Sequence, residues 1–145
     1  MKNKLFILVF LGTCVASFSQ KKITWEDLAK VTFVDKYFPE FEQSFLYPNF
    51  SNEVKALAGK KVTITGYFLN LDPEGAVYIL SKSLMASCFF CGVGGPETAI
   101  ELHFTETPPF KTDDIVTITG ILQLNSDDIN HFNYVLNTSS SEKVN

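Results

Sequence analysis

Val62-Thr63-Ile64-Thr65-Gly66 recurs as Val116-Thr117-Ile118-Thr119-Gly120. Each copy alternates apolar and polar residues, the period of a strand with one buried face. Each then reaches a glycine, where a strongly coiled strand can bend. Two copies of five residues do not make a solenoid. They read as two equivalent strands of one small barrel, which needs such bends to close.

Further strand signals flank the two copies. Residues 61–71 place Val62, Ile64 and Phe68 on one face and Thr63, Thr65 and Tyr67 on the other. Asp72-Pro73-Glu74-Gly75 is a turn sequence, and 76–80 reads as a second strand. A long loop follows over 81–96. A third strand over 97–104 alternates Ile100, Leu102 and Phe104 against Glu101 and His103. Thr107-Pro108-Pro109 breaks the chain before a fourth strand over 115–124, and a fifth covers 132–136. Five strands, with a V-x-I-x-G pattern in the first and fourth and a non-strand segment between the third and fourth, predict a mainly β chain. Its expected core is a small five-stranded barrel of the OB type.

The residues ahead of the barrel read as a helical or irregular extension. Thr24 can cap a helix whose first turn holds Glu26 and Asp27. Val31 and Phe33 alternate with Thr32 and Val34, which predicts an extended piece. Residues 37–50 are aromatic-rich and contain Pro39 and Pro48, which suggests an irregular or partly helical wrap over the barrel. Ser51 caps a short helix over 52–57 that Gly59 ends. The polar tail from Thr138 is expected to fray.

The first residues have a different character. Lys2 and Lys4 precede an apolar run from Leu5 to Ala16, and Ser17-Phe18-Ser19 places small residues at the −3 and −1 positions of a cut before Gln20. That is the pattern of a cleavable signal peptide. The run is shorter than the ~20 residues a spanning helix needs. A second reading takes Leu11-Gly12-Thr13-Cys14 as a lipoprotein box with a lipid on Cys14, although Thr13 suits that cut poorly. The expected organisation is a signal peptide over 1–19, an extension over 20–58, the barrel over 59–138 and a disordered tail over 139–145. The expected location is periplasmic or secreted, with no membrane span.

Charge narrows the partners. The whole chain carries a formal charge of −4, and residues 1–19 hold two of its lysines and no acid, so residues 20–145 carry −6. No arginine occurs anywhere. Nucleic-acid binders need a basic face, and this chain lacks both the charge and the guanidinium fork. The alternative to a metal-holding module is a structural or interaction domain with a Cys88–Cys91 disulfide, whose barrel face binds a protein or oligosaccharide partner in the envelope.

The chemically loaded stretch is Ala86-Ser87-Cys88-Phe89-Phe90-Cys91-Gly92-Val93-Gly94-Gly95-Pro96-Glu97. Three readings stay open. Cys88 and Cys91 can chelate a metal, with His103 and either Glu97 or His131 completing a mixed site that suits zinc or copper. By strand parity His103 shares a face with Glu97 and Glu101. Alternatively, export lets Cys88 and Cys91 form a disulfide, which would shape its own loop more than it stabilises the domain. Redox catalysis is the third reading, but no helix follows the cysteines to lower a thiolate pKa. The glycines lack the strand-loop-helix context and the lysine of a phosphate cradle. Phe89 and Phe90 are expected to anchor the loop on the barrel. No nucleophilic triad or paired-carboxylate hydrolase pattern is visible, so the chain is expected not to be an enzyme.

Several blocks, taken in order, resemble a family. Ile23-Thr24-Trp25-Glu26-Asp27-Leu28, then Leu57-Ala58-Gly59-Lys60-Lys61-Val62 running into Ile64-Thr65-Gly66-Tyr67, then Tyr78-Ile79-Leu80-Ser81 and the cysteine loop ending in Pro96-Glu97, resemble exported proteins of Bacteroidota-type bacteria. Those proteins have no assigned function and carry a C-F-F-C-G loop. A broader relative has the same strand motif with a cysteine-histidine loop and is often associated with metal-transport or export gene clusters. The resemblance implies an envelope OB-like domain that handles a metal. This chain departs from the broader pattern, since Phe90 or Cys91 stands where the loop histidine would be.

Overall fold

The computed structural model describes residues 20–72, 74 and 77–145, and the backbone but not the side chain of Phe90. The signal-peptide and Cys14 readings, and two of the four residues of the 72–75 turn, lie outside the described residues.

The two echoed pentapeptides pair with each other. Strand β4 (Lys61–Asp72) and strand β7 (Ile115–Leu124) run antiparallel, with Thr63 opposite Thr119, Ile64 opposite Ile118 and Thr65 opposite Thr117. Val62, Ile64, Val116 and Ile118 turn inward and are buried. The threonines turn outward and form hydroxyl pairs, Thr63 with Thr119 at 2.7 Å and Thr65 with Thr117 at 2.8 Å. The Gln20 side chain joins the first pair, and a two-residue strand β1 (Lys21–Lys22) adds in parallel beside Val62 and Thr63.

The glycines of the two copies do different work from the bending expected of them alone. A Cβ on Gly66 would lie 2.7 Å from the Ser81 carbonyl and 2.9 Å from the Trp25 ring. The indole of Trp25 therefore lies against β4 and donates to the Thr65 carbonyl at 2.9 Å. A Cβ on Gly120 would lie 2.3 Å from the Asn137 carbonyl. There the register between β7 and strand β8 (Tyr134–Lys143) shifts by a bulge between Thr119 and Gly120. Such bulges bend a strand, and small barrels need bent strands to close.

Strands β5 (Val77–Ser81) and β6 (Ala99–His103) complete the ring. The order β4-β5-β6-β8-β7, with β7 returning to β4, closes the sheet on itself, and β6 runs parallel to β8. Five strands in this order, with one parallel pair, make an OB-type barrel. Its interior packs Phe68, Tyr78, Leu80, Ile100, Leu102, Leu122, Tyr134 and Leu136.

A smaller core lies outside the barrel. Leu69, Ile79 and Ala99 face outward from β4, β5 and β6, and Cys88 packs onto them with Met85, Phe89 and Phe132 beside it. The cysteine loop is thus a lid over this face, and Phe89 anchors it as its sequence suggests.

Two helices and a hairpin follow β1 ahead of the barrel. Helix α1 (Trp25–Leu28) starts on a Thr24–Asp27 capping box, and helix α2 (Asn52–Lys55) on Ser51, whose hydroxyl accepts from the Val54 amide. Between them lies a hairpin, not an irregular or helical wrap. Strand β2 (Val31–Phe38) pairs throughout with strand β3 (Gln43–Phe50). Pro39 sits in its turn, and Pro48 falls inside β3. A proline can occupy a strand whose amide faces away from a partner, and β3 has a partner on one side only. Phe50 anchors the base of the hairpin, with its ring 5.6 Å from that of Tyr134. Residues 139–143 also differ from the frayed tail expected of them, because β8 stays paired with β7 as far as Lys143 opposite Val116.

Candidate metal site on the outer face of β6

Glu101 and His103 lie two residues apart on β6, so both project from its outer face. The neighbouring strand brings in a third group. Parallel pairing sets Glu101 beside Val135 and His103 beside Asn137, which places the loop entering β8 over the same face. His131 hangs from that loop.

Glu101 is the hub. Its Oε1 accepts from His103 Nε2 at 2.7 Å and from His131 Nδ1 at 2.8 Å, while its Oε2 accepts from the Phe132 amide at 3.0 Å. The two imidazoles meet edge to face with centroids 6.0 Å apart. One donor atom from each of the three residues lies within 4.8 Å of the others. The Glu101 side chain is 15% exposed, whereas the two histidines are nearly half exposed at 45% and 47%. The site therefore has a covered floor and an open mouth.

The electrostatics follow from that contact. Burial pushes the Glu101 carboxyl up, but the hydrogen bonds from His103, the Phe132 amide and His131 outweigh it and hold the group below its ordinary value. The hydrogen bond to Glu101, and then its charge, raise His131. Each partner favours the charged form of the other.

Asn125 positions His131. Its Nδ2 donates to the carbonyls of Asp128 (2.7 Å), His131 (3.0 Å) and Phe132 (3.2 Å), and its Oδ1 accepts from the Asp128 amide (3.0 Å). One side chain thus staples the whole 125–133 loop. A hollow of about 290 Å³ opens beside the cluster, lined by His103, His131, Asp128 and Gln123 among others.

The other residues singled out in the sequence fall elsewhere. Cys88 is buried at 2% exposure under the loop it belongs to, and Cys91 is exposed, its thiol donating to the Met85 carbonyl at 3.3 Å. The two sulfurs are not bonded to each other in this structure. Strand parity does not reach Glu97, because β6 begins only at Ala99 and Glu97 sits in the tight turn before it. Its carboxylate folds back over Gly95 instead. Among the described residues the structure therefore gathers His103 with Glu101 and His131, and Cys88, Cys91 and Glu97 do not join that group. The sequence offers His131 only as an alternative ligand to Glu97, and Glu101 only as a neighbour on the strand. The signal for both was their chemistry, since the pairing of β6 with β8 is not readable from spacing.

The fold and this cluster define an OB-type barrel with a histidine-carboxylate site beside its parallel strand pair. No protein-family model and no curated protein matches the chain. Among solved structures it is similar to a DUF3299 family protein from Pseudomonas aeruginosa PAO1, with a TM-score of 0.56 and 12% identity over 88% of this chain and 97% of that one. At that identity the likeness is one of fold. No helix among the described residues is long and apolar enough to cross a membrane.

Proposed function

We propose that the protein is an exported binding module of the bacterial envelope that holds a divalent transition metal through Glu101, His103 and His131. The observation that carries this reading is the convergence of two imidazole nitrogens and one carboxylate oxygen within 4.8 Å on an accessible face. Export is supported by the basic, apolar and small-residue order of residues 1–19.

The donor set shifts the choice of ion. Thiolates favour copper(I), whereas two imidazoles and a carboxylate suit zinc or copper(II). Three protein ligands leave a position open, the arrangement of a site that exchanges its ion or accepts an outside ligand. Donor atoms around a tetrahedral zinc stand about 3.3 Å apart, so each histidine contact to Glu101 must open by about half an ångström as the metal replaces the shared protons. Rotation of half-exposed rings supplies that movement. The module binds and hands on the ion, and no bond-making step is required of it.

The test is zinc titration against a chromophoric chelator, with native mass and elemental analysis of protein purified without chelator. One equivalent of zinc is expected, with affinity reduced at least tenfold in both His103→Ala and His131→Ala and unchanged in Cys91→Ser. Undiminished zinc binding in the double histidine variant would overturn the assignment. Loss of binding in Cys88→Ser/Cys91→Ser alone would move the site to the loop.

A further inference from the structure

A second hollow lies on the other side of His131. It has a volume of about 410 Å³ and is bounded by the β2–β3 hairpin, the 125–133 loop and the turn that carries Phe89. That size fits a small organic ligand. The walls include four phenylalanines, Phe38, Phe45, Phe89 and Phe132, and the rim carries two aspartates, Asp35 and Asp128.

The charges are one-sided. Among the described residues that line the hollow none is a lysine. Lys36, the nearest in sequence, is turned away onto the Tyr47 ring at 3.9 Å and pairs with Asp127 at 3.4 Å. His131 is the one basic group among the described lining residues, and its Nδ1 is committed to Glu101. The Oδ1 of Asp128 accepts from the Asn130 amide and side chain, both at 3.0 Å. Asp35 is exposed and has no hydrogen-bond or ion-pair partner among the described residues. Aromatic faces attract cations, and a carboxylate without a partner, as at Asp35, selects for them.

We propose that this hollow is a second binding site, for a small organic cation with an apolar body, an aromatic primary amine being the simplest case. The phenylalanines would take the apolar body, and Asp35 with Asp128 the ammonium. Metal at Glu101, His103 and His131 is not required for it.

Tryptamine titrated into chelator-treated protein, followed by amide shifts in heteronuclear NMR, is the test. Saturable shifts are expected at Asp35, Leu46, Phe89 and Ile129, with indole-3-acetate much weaker over the same range. Asp35→Asn, at an exposed position, is expected to weaken tryptamine two- to fivefold, about what a surface ion pair contributes. Leu46→Ser, which trims a half-exposed wall residue, is expected to weaken both probes. Equal binding of amine and acid, shifts centred elsewhere, or unchanged affinity in Asp35→Asn would overturn the proposal. So would saturation of the hollow by a lysine-bearing apolar peptide but not by tryptamine.

Discussion

Tyr134 donates its phenolic hydrogen to the backbone carbonyl of Leu28, 2.7 Å away and 106 residues earlier in the chain. Both residues are fully buried. The Leu28 carbonyl is one of the acceptors that the end of α1 leaves without a partner inside the helix. Burial, and then the charge of Glu97, push the phenol well above its ordinary range, so it stays a donor at every physiological pH. Tyr134→Phe leaves that carbonyl dry and unpaired. The expected cost is about 1–3 kcal/mol, read as a lower urea midpoint with an unchanged slope.

The two glycines of the echoed pentapeptide differ in what an added methyl would meet. At Gly120 it is backbone, the Asn137 carbonyl at 2.3 Å. At Gly66 it is the Ser81 carbonyl at 2.7 Å and the Trp25 side chain at 2.9 Å. Gly120→Ala is therefore expected to cost at least about 2 kcal/mol and Gly66→Ala somewhat less. Thermal unfolding of both variants checks the order. A Gly120→Ala protein as stable as the parent would show that the bulge can relax.

Without metal, the Glu101–His131 contact has a defined pH window. Glu101 is lowered, so its contribution is present above the ordinary 4.5 and is lost as pH falls through the folded value. His131 is raised, so its contribution is complete below the ordinary 6.5 and is lost as pH rises through the folded value. The stability difference between the parent and His131→Ala is expected to peak between those values and to shrink by pH 9. With a half-exposed histidine it should be about 0.5 kcal/mol. Zinc affinity runs the other way, because the metal needs neutral imidazoles. It is expected to be more than tenfold weaker at pH 6 than at pH 8.

Native thiol labelling should separate the two cysteines of the lid. Cys91 is exposed and Cys88 is covered, and access governs reactivity alongside thiolate character. Peptide mapping after a short exposure to a maleimide is expected to find Cys91 modified first and Cys88 only after denaturation. Simultaneous labelling would mean that the lid opens readily. Complete resistance of both would point to a disulfide between them.

The barrel was legible because its signals are local. The V-T-I-T-G copies, the alternation of Ile100 and Leu102 against Glu101 and His103, and the Phe89 anchor all follow from side-chain period and size. The hairpin was hidden because Pro39 and Pro48 read as breakers, and because Val34, Tyr37, Phe41 and Leu46 stay exposed on both of its strands and its turn, blurring the alternation. The end of β8 was hidden for the opposite reason. Thr138 to Glu142 offer no apolar face, and their order comes from pairing with β7. The site was half visible. Glu101 and His103 follow from parity, but His131 arrives through a parallel pairing between strands separated by the whole of β7.

That parallel pairing also governs when the molecule can become itself during synthesis. The ring closes only when β8 slots between β6 and β7, and β8 ends at Lys143. Until β8 leaves the ribosome, the barrel wall stays open and the hydrophobic interior lacks Tyr134 and Leu136. Contacts so distant in sequence form slowly, in milliseconds to seconds. A nascent chain of this design cannot close its barrel before β8 has been made.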